Sequence, residues 1–540
     1  MTELSEILIT FAKDVRADRR ANSNNTGDGT ALELLIAPRF QKLIEEILKI
    51  RLPGAPRLLP EYKQAGLGRP DLAFARPGEP ARAFIELKEP AKQLNPERWR
   101  GHDGDQFKRF QELPIWALCN FHGIKLFRRG DVQAEAIILP AAALDPNTPD
   151  ARADRMIRGH DANGFITILE TLAQAQPIPP RDARELADSL AHAARLVRAI
   201  VADMCRGNPP EALQAVQAEF RETLFAHPKA GGYDDQDETS LFANAFAQTL
   251  AFGLLLAREA GAQEVDERAY RSLPSGNFPL LSATLRALTQ DEILATLGAS
   301  FDVLRDTVNV FDPAMLAPQD GRDPILYFYE DFLSVFDPEA RKKHGVFFTP
   351  IPIVRFMVDA TDRALQNHLG TEGIADRNVL LLDPACGTGT FLIAAATHGL
   401  ARIRERYGEG AAATEMEALA NRLHAFELLV IPYTVAHYRL LREVAAVTGK
   451  MPAGRLPIYL ADTLAPPRDT KGLTPHLGFM AGPIVEERRA ADTLKRETPI
   501  IAIIGNPPYR RLQAGEEAGI ISGWDGGFWD DLKEPVRNAG

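Results

Sequence analysis

Three short groups of residues in this chain could do chemistry. The first is VLLLDPACGTGTFL, where an apolar run from Val379 to Leu382 ends in Asp383 and Pro384. A turn containing Gly387 and Gly389 then leads into a helix starting near Thr390. Glycine permits positive φ and close approach of backbone to a ligand. Free N–H groups at a helix start favour electron-rich ligand atoms. Alone, such a turn could equally serve a dinucleotide, but it lacks the G-x-G-x-x-G spacing, which disfavours a nicotinamide cofactor. The second group is Asn506-Pro507-Pro508-Tyr509, directly after the apolar run IAIIG. Two prolines force an extended, rigid turn without backbone donors. That leaves Asn506 Oδ1 and the Pro507 carbonyl as acceptors beside the flat face of Tyr509, an arrangement suited to a planar amino group on a ring. By itself N-P-P-Y fits a surface turn as well; following the Asp383 turn in chain order, it points to a site.

The third group is Pro70-Asp71 with Glu86-Leu87-Lys88. Asp71 and Glu86 are expected on adjacent strands, with Lys88 two residues on and so on the face of Glu86. Two carboxylates and a backbone carbonyl can hold Mg²⁺. A nearby lysine can orient water or stabilise charge at phosphorus, the chemistry of metal-assisted phosphodiester hydrolysis. E-x-K alone also fits an exposed strand face.

The elements that must position these groups follow from pattern. At about 150 residues per domain, 540 residues make roughly three or four domains or fewer large ones. An α/β multidomain chain is expected. Residues 1–175 read as a compact α/β unit: helix ALELLIAPRFQKLIEEILKI, strands RPDLAFA and RAFIELKE, and a hairpin of LPIWALCNF with IKLFRRG. Residues 176–322 carry alanine and leucine at helical spacing and read as an all-helical spacer. Residues 323–540 alternate apolar strand runs with helices, which implies a doubly wound sheet with ligands at the carboxyl ends of its strands.

Hydrophobic residues make up 45% and charged residues 25%, which excludes global disorder. Three cysteines cannot form a disulfide framework, and no signal peptide is evident, so a cytoplasmic location is expected. No stretch is read as approaching the roughly 18 uncharged apolar residues of a membrane span, so no membrane partner is expected. A net charge of −11 argues against a uniformly basic nucleic-acid coat while leaving room for a local basic groove.

DPACGTGTF followed by NPPY resembles the amino-methyltransferases that use S-adenosylmethionine, and most closely the DNA N6-adenine group. GVFFTP, Gly345 to Pro350, is similar to that group's additional cofactor motif. The resemblance implies a Rossmann-like domain in which Phe348, Thr349 and Pro350 line the methionine end of the cofactor. Asp383, Pro384, Gly387 and Gly389 would form the turn around it, Glu427 would accept from the ribose hydroxyls, and Asp462 would sit near the adenine ring. The gap from Asp383 to Glu427 is wider than the roughly 20 residues of a dinucleotide fold, room for an extra helix. Asn506 and Pro507 would hold the two amino hydrogens of a flipped-out base stacked on Tyr509, and the methyl group would transfer in line. Glutamine side-chain methyltransferases share NPPY, so the motif alone leaves the substrate open.

Asp71, Glu86 and Lys88 resemble the PD-(D/E)xK nuclease superfamily. Glu33 matches the position of its additional acidic residue, a further metal ligand, and Gln106 and Phe110 resemble its following glutamine motif. Nuclease, spacer and methyltransferase in one chain resemble the single-chain type IIG and IIL restriction–modification enzymes. YFYEDFLSVFDPEARKKHGVFFTP is similar to the connector of those proteins and of the type ISP enzymes. No G-x-x-x-x-G-K-[ST] is present, so no ATP-driven motor is expected. The expected partner is double-stranded DNA, with S-adenosylmethionine and Mg²⁺ as cofactors. Because only Arg510–Gly540 follows Tyr509, the methyltransferase domain is expected to be incomplete. A missing C-terminal target-recognition domain or a separate specificity subunit would complete it.

Overall fold

The computed structural model describes residues 2–21, 29–60, 70–76, 81–223, 238–274, 276–317, 324–338, 349–452, 454–463 and 481–507. Phe348 and Tyr509, both expected at the site, lie outside the described residues. The fold is mixed α/β and mostly helical, and it divides into two compact units. The first comprises 1–180, 192–204 and 294–311, and the second 181–191, 205–293 and 312–540.

The first unit is built on a six-stranded mixed sheet in sequential order: β1 (Arg57–Pro60), β2 (Leu72–Ala75), β3 (Ala83–Leu87), β4 (Trp116–Cys119), β5 (Gly123–Arg128) and β6 (Asp131–Ile137). Only the β3–β4 pair is parallel. The helix Gly101–Phe110 stands between those two strands in sequence. Alternation along β3 sends Ala83, Ile85 and Leu87 into one core and Phe84 and Glu86 to the opposite face. On the first face the helix Gly29–Arg51 contributes Ile36, Phe40, Leu43, Ile44 and Ile47, a stripe at helical spacing. Burying each such side chain contributes roughly 1.5–3 kcal/mol. On the second face Trp116 stacks on Phe127 with ring centroids 4.5 Å apart, and Phe110 packs against Trp116 at 5.2 Å.

The expected strands β2 to β5 are present, while β1 and β6 join them unannounced. Most of β6, DVQAEAI, is exposed, so it carries almost no apolar alternation. Its pairing is set by the Arg129-Gly130 turn, where both residues take positive φ as a tight hairpin demands.

The region expected as a spacer is helical in its described elements, which include Ala183–Arg206, Glu211–Thr223, Glu238–Glu259, Pro279–Leu288 and Ala299–Asn309. It forms no third unit, because 192–204 and 294–311 group with the first unit and most of the remainder with the second. The membrane expectation needs correcting on one point: the helix Glu238–Glu259 is long and apolar enough to cross a membrane by length and composition. Its apolar window is 78% buried inside the protein. A helix apolar on all sides is what a protein core also demands.

The second unit holds a four-stranded parallel sheet of β7 (Leu381–Asp383), β8 (Leu423–Glu427), β9 (Ile458–Leu460) and β10 (Ala502–Ile503), in the order β10-β7-β8-β9. Two helices, Thr390–Tyr407 and Glu409–Ala420, fill the wide gap between β7 and β8. Val430–Thr448 links β8 to β9, and Ala481–Glu497 precedes β10. The chain therefore steps away from β7 and returns on its other side. Order reverses between β7 and β10, and in open parallel sheets the crevice at such a reversal is where ligands bind.

Candidate active site

Both strand ends at the reversal carry residues singled out from sequence. Asp383 closes β7, fully buried. Its Oδ1 accepts from the Ala385 N–H at 3.1 Å, while Oδ2 is buried without a hydrogen-bond partner. Burial pushes its carboxyl up to about 7, opposed by the Ala385 N–H and reinforced by the charge of Glu427. Glu427 closes β8 and binds backbone through both oxygens: Gly387 N–H donates to Oε2 at 2.9 Å and Leu429 N–H to Oε1 at 2.8 Å. Burial raises its pKa too. A carboxylate oxygen has two lone pairs, so each keeps one for another donor.

The two turn glycines do different jobs. Gly387, at φ +54°, has nothing within 4 Å of where a Cβ would stand, so its surface is open to a ligand. Gly389, at φ +79°, would set a Cβ 3.1 Å from that of Ala436, so its smallness serves helix packing. Across the crevice, Gly505 lies so close to β7 that a Cβ would fall 2.5 Å from Asp383 Oδ1. Asn506 follows, exposed, with Nδ2 donating to Thr349 Oγ1 at 3.1 Å. Pro350, next to Thr349, caps the helix Ile351–Leu369 by accepting from the Ile353 and Val354 N–H groups. Thr349, Asp383, Pro384, Gly387, Glu427, Asn506 and Pro507 are thus linked through one short series of contacts and chain neighbours.

Asp462 follows β9 and is placed by its carbonyl, which accepts from Lys495 Nζ at 2.6 Å. The Lys495 ammonium also lies 5.3 Å from the Phe426 ring centroid. A buried set holds that end of the sheet: Glu487 Oε1 accepts from Tyr433 Oη at 2.8 Å, Oε2 from Leu460 N–H at 3.2 Å, and Arg455 pairs with the carboxylate at 2.7 Å.

Sequence reasoning missed three residues here. Thr463 donates its hydroxyl to the Pro384 carbonyl, and Arg439 donates to the Thr388 carbonyl. Lys495 is the third. Arg439 had a readable signal, a cation inside the apolar helix VIPYTVAHYRLL, where a buried charge needs a partner.

In the first unit the structure brings Glu33, Asp71, Glu86 and Lys88 into one electrostatic cluster. The register Leu72↔Ile85, extended by one residue, sets Asp71 opposite Glu86. Asp71 Oδ2 accepts from Leu87 N–H at 2.6 Å. Glu86 and Lys88 are both buried, with Lys88 Nζ 2.7 Å from Glu86 Oε1, 3.1 Å from Gln106 Oε1 and 3.2 Å from Asp103 Oδ1. Asp103, unremarked in the sequence, also pairs with Lys92. Phe110 is a core residue against Trp116.

Burial and then the charge of Asp71 push Glu33 up to about 7 and Glu86 up to about 8. For Lys88, burial works downward, but Glu86, Asp103 and Glu33 outweigh it and the net direction is up. Glu86 Oε2 is buried without a hydrogen-bond partner. Among the described residues no group of three or more His, Cys, Asp or Glu side chains is arranged to hold a metal ion. Glu33, Asp71 and Glu86 therefore feel one another's charge without forming a ready cage.

Residues 321–430 match the family described as N-6 DNA Methylase. That segment includes Thr349, Pro350, the Asp383 turn and Glu427. No curated protein matches the chain. Among solved structures it is similar to the cryoEM structure of a DrdV–DNA complex, at 20% identity and a TM-score of 0.37, over 95% of this chain and 44% of that one. It is similar to the ATP-dependent type ISP restriction–modification enzyme LlaBIII bound to DNA, at 20% identity and a TM-score of 0.45, over 70% of this chain and 24% of that one. A nuclease-deletion mutant of the type ISP enzyme LlaGI with a DNA substrate mimic matches at 20% identity and a TM-score of 0.40, over 65% of this chain and 26% of that one. The chain spans less than half the length of each of these proteins.

Proposed function

We propose that this chain methylates adenine N6 in double-stranded DNA with S-adenosylmethionine, as part of a restriction–modification protein whose amino-terminal unit is a PD-(D/E)xK-like nuclease. The observation that carries the reading is the meeting of Gly505–Asn506 with Asp383 and Thr349 at the sheet reversal. The family match over residues 321–430, which include Thr349 and Asp383, supports it.

The residues fit the cofactor. Gly387 leaves open space beside its backbone, and Glu427 is aimed by two backbone donors with lone pairs to spare for ribose hydroxyls. When bound, S-adenosylmethionine supplies a methyl group on a cationic sulfur. The chain's own part is orientation. An aromatic amine is a poor nucleophile because its lone pair is delocalised. Asn506 Oδ1 and the Pro507 carbonyl, accepting its two hydrogens, favour a more tetrahedral nitrogen with the lone pair aimed for in-line attack. The target base leaves the DNA stack to reach them, and Tyr509 is the aromatic surface on which it stacks.

In the amino-terminal unit, Asp71 and Glu86 would hold Mg²⁺, whose chemistry is to polarise phosphate and acidify water. The buried, unpartnered Glu86 Oε2 is the observation that supports a cation there, held by the Asp71–Glu86 pair and not by a three-carboxylate cage. Lys88 would stabilise charge at phosphorus. One observation favours a second reading, a methyltransferase with a non-cleaving amino-terminal unit: the three donors of Lys88 face Glu86, Gln106 and Asp103.

The test is methyl transfer from tritiated S-adenosylmethionine to unmodified DNA, with N6-methyladenine identified by mass spectrometry. The expected product is N6-methyladenine, lost in Asn506→Ala. Cleavage of the same DNA with Mg²⁺, lost in Lys88→Ala, separates the first reading from the second.

A further inference from the structure

We propose that Thr349 is a positioning residue for Asn506, anchoring the Asn506 amide where the target amine must meet it. This rests on the methyltransferase reading but gives Thr349 a job distinct from lining the methionine end of the cofactor. Asn506 follows β10, a strand of two residues whose described pairing is with β7 alone. Its side chain is exposed, and the next residue, Pro507, has no N–H to help hold the turn. Left to itself, such an amide turns about its broad, roughly two-fold χ2 and presents either its acceptor or its donors.

An amide turned the wrong way would offer N–H to N–H and repel the substrate. The Nδ2–Thr349 Oγ1 hydrogen bond of 3.1 Å anchors the amide to a fixed point, in the orientation that leaves Oδ1 for an incoming donor. Among the described residues Thr349 Oγ1 is the hydrogen-bond partner of this amide.

Thr349 can act as a fixed point because its helix is fixed. Pro350 begins the helix Ile351–Leu369, and that helix is tied down by the buried Asp362. Asp362 Oδ1 accepts from Ile374 N–H at 2.8 Å. Its Oδ2 lies 3.1 Å from His398 Nε2 and 3.3 Å from Arg402 Nε, both on the helix Thr390–Tyr407 that leaves the glycine turn. Asp383 and Thr349 are therefore referenced to one helix pair, and Asn506 to both: through Gly505 against Asp383, and through its amide to Thr349.

The experiment compares the full chain with Thr349→Val and Thr349→Ser by three readouts. In the first, protein labelled with ¹⁵N-asparagine gives the Asn506 side-chain amide resonance, assigned by its loss in Asn506→Asp. It should shift in Thr349→Val and stay near its original position in Thr349→Ser. In the second, calorimetric affinity for S-adenosylmethionine should stay within about twofold in both variants. In the third, methyl transfer to unmodified plasmid DNA should fall about tenfold or more in kcat for Thr349→Val and recover to within about threefold for Thr349→Ser, a misorientation effect. An unmoved Asn506 resonance in Thr349→Val overturns the proposal. So does a tenfold loss of cofactor affinity with kcat unchanged, which would make Thr349 a cofactor contact instead. If the parent chain transfers no methyl group, the methyltransferase reading fails, while the amide resonance still decides whether Thr349 holds Asn506.

Discussion

The two candidate sites differ in what their carboxylates face. In the amino-terminal unit Glu33, Asp71 and Glu86 crowd together around Lys88, and burial and then the charge of Asp71 raise the pKa of Glu33 and Glu86. In the second unit Asp383 and Glu427 each accept from backbone amides, and the groups proposed to meet the substrate, Asn506 and Pro507, are neutral. The phosphodiester hydrolysis proposed for the first site would call for concentrated negative charge balanced by a divalent cation. Moving a methyl group from a cationic sulfur to a neutral amine calls for aimed acceptors and a rigid frame.

Substitutions can break or sharpen this contrast. The largest effect is expected for Lys88→Ala, which leaves Glu86 buried beside two other carboxylates. Thermal or denaturant unfolding should show a loss of up to about 3–5 kcal/mol in the first unit, with cleavage abolished and cofactor binding intact. Lost cofactor binding would mean the two sites are not independent. Next comes Asn506→Ala, which should cut the methylation rate by about 10²–10³ while leaving calorimetric affinity for S-adenosylmethionine unchanged.

Glu33→Gln tests the charge crowding by pH. The folded-state pKa of Glu33 is raised from 4.5 to about 7, so the folded protein holds that proton more tightly than the unfolded chain. Below about 4.5 both states are protonated and the shift costs nothing; as pH rises toward 7 the native carboxylate loses stability, and the loss persists above. The glutamine variant should therefore melt a few degrees higher than the parent at pH 8 in chelator, and with it at pH 4.5. An equal difference at both pH values would remove the charge argument. The smallest effect belongs to Gly387→Ala, where the open space leaves only the cost of positive φ, about 1–2 kcal/mol in stability. Cofactor affinity should fall more than stability does, because the added methyl projects into the crevice.

The second site was the more legible in sequence because its parts are contiguous strings at strand ends. A strand, an acidic residue and a glycine turn specify local geometry without knowledge of the rest of the fold. The extra helix between Asp383 and Glu427 was anticipated from the length of the gap. What could not be read was which partners complete the frame. Thr463, Arg439 and Lys495 donate to carbonyls far away in sequence, and no local pattern encodes those hydrogen bonds.

In the first unit, Asp71 and Glu86 could be paired because β2 and β3 form a hairpin, whose register follows from sequence proximity. Asp103 was invisible because the helix carrying it crosses between the parallel strands β3 and β4, and the fold alone decides which of its faces meets Lys88. Strand β6 escaped notice because its side chains are mostly solvated, and the helical region 176–322 gave no hint of being divided between two units.

The central claim is that the crevice between β7 and β10 binds S-adenosylmethionine. Calorimetric titration of the full chain tests it most directly. The account predicts saturable one-to-one binding that is retained in Asn506→Ala and lost in Glu427→Ala. No heat of binding in the parent chain, or full affinity in Glu427→Ala, would contradict it.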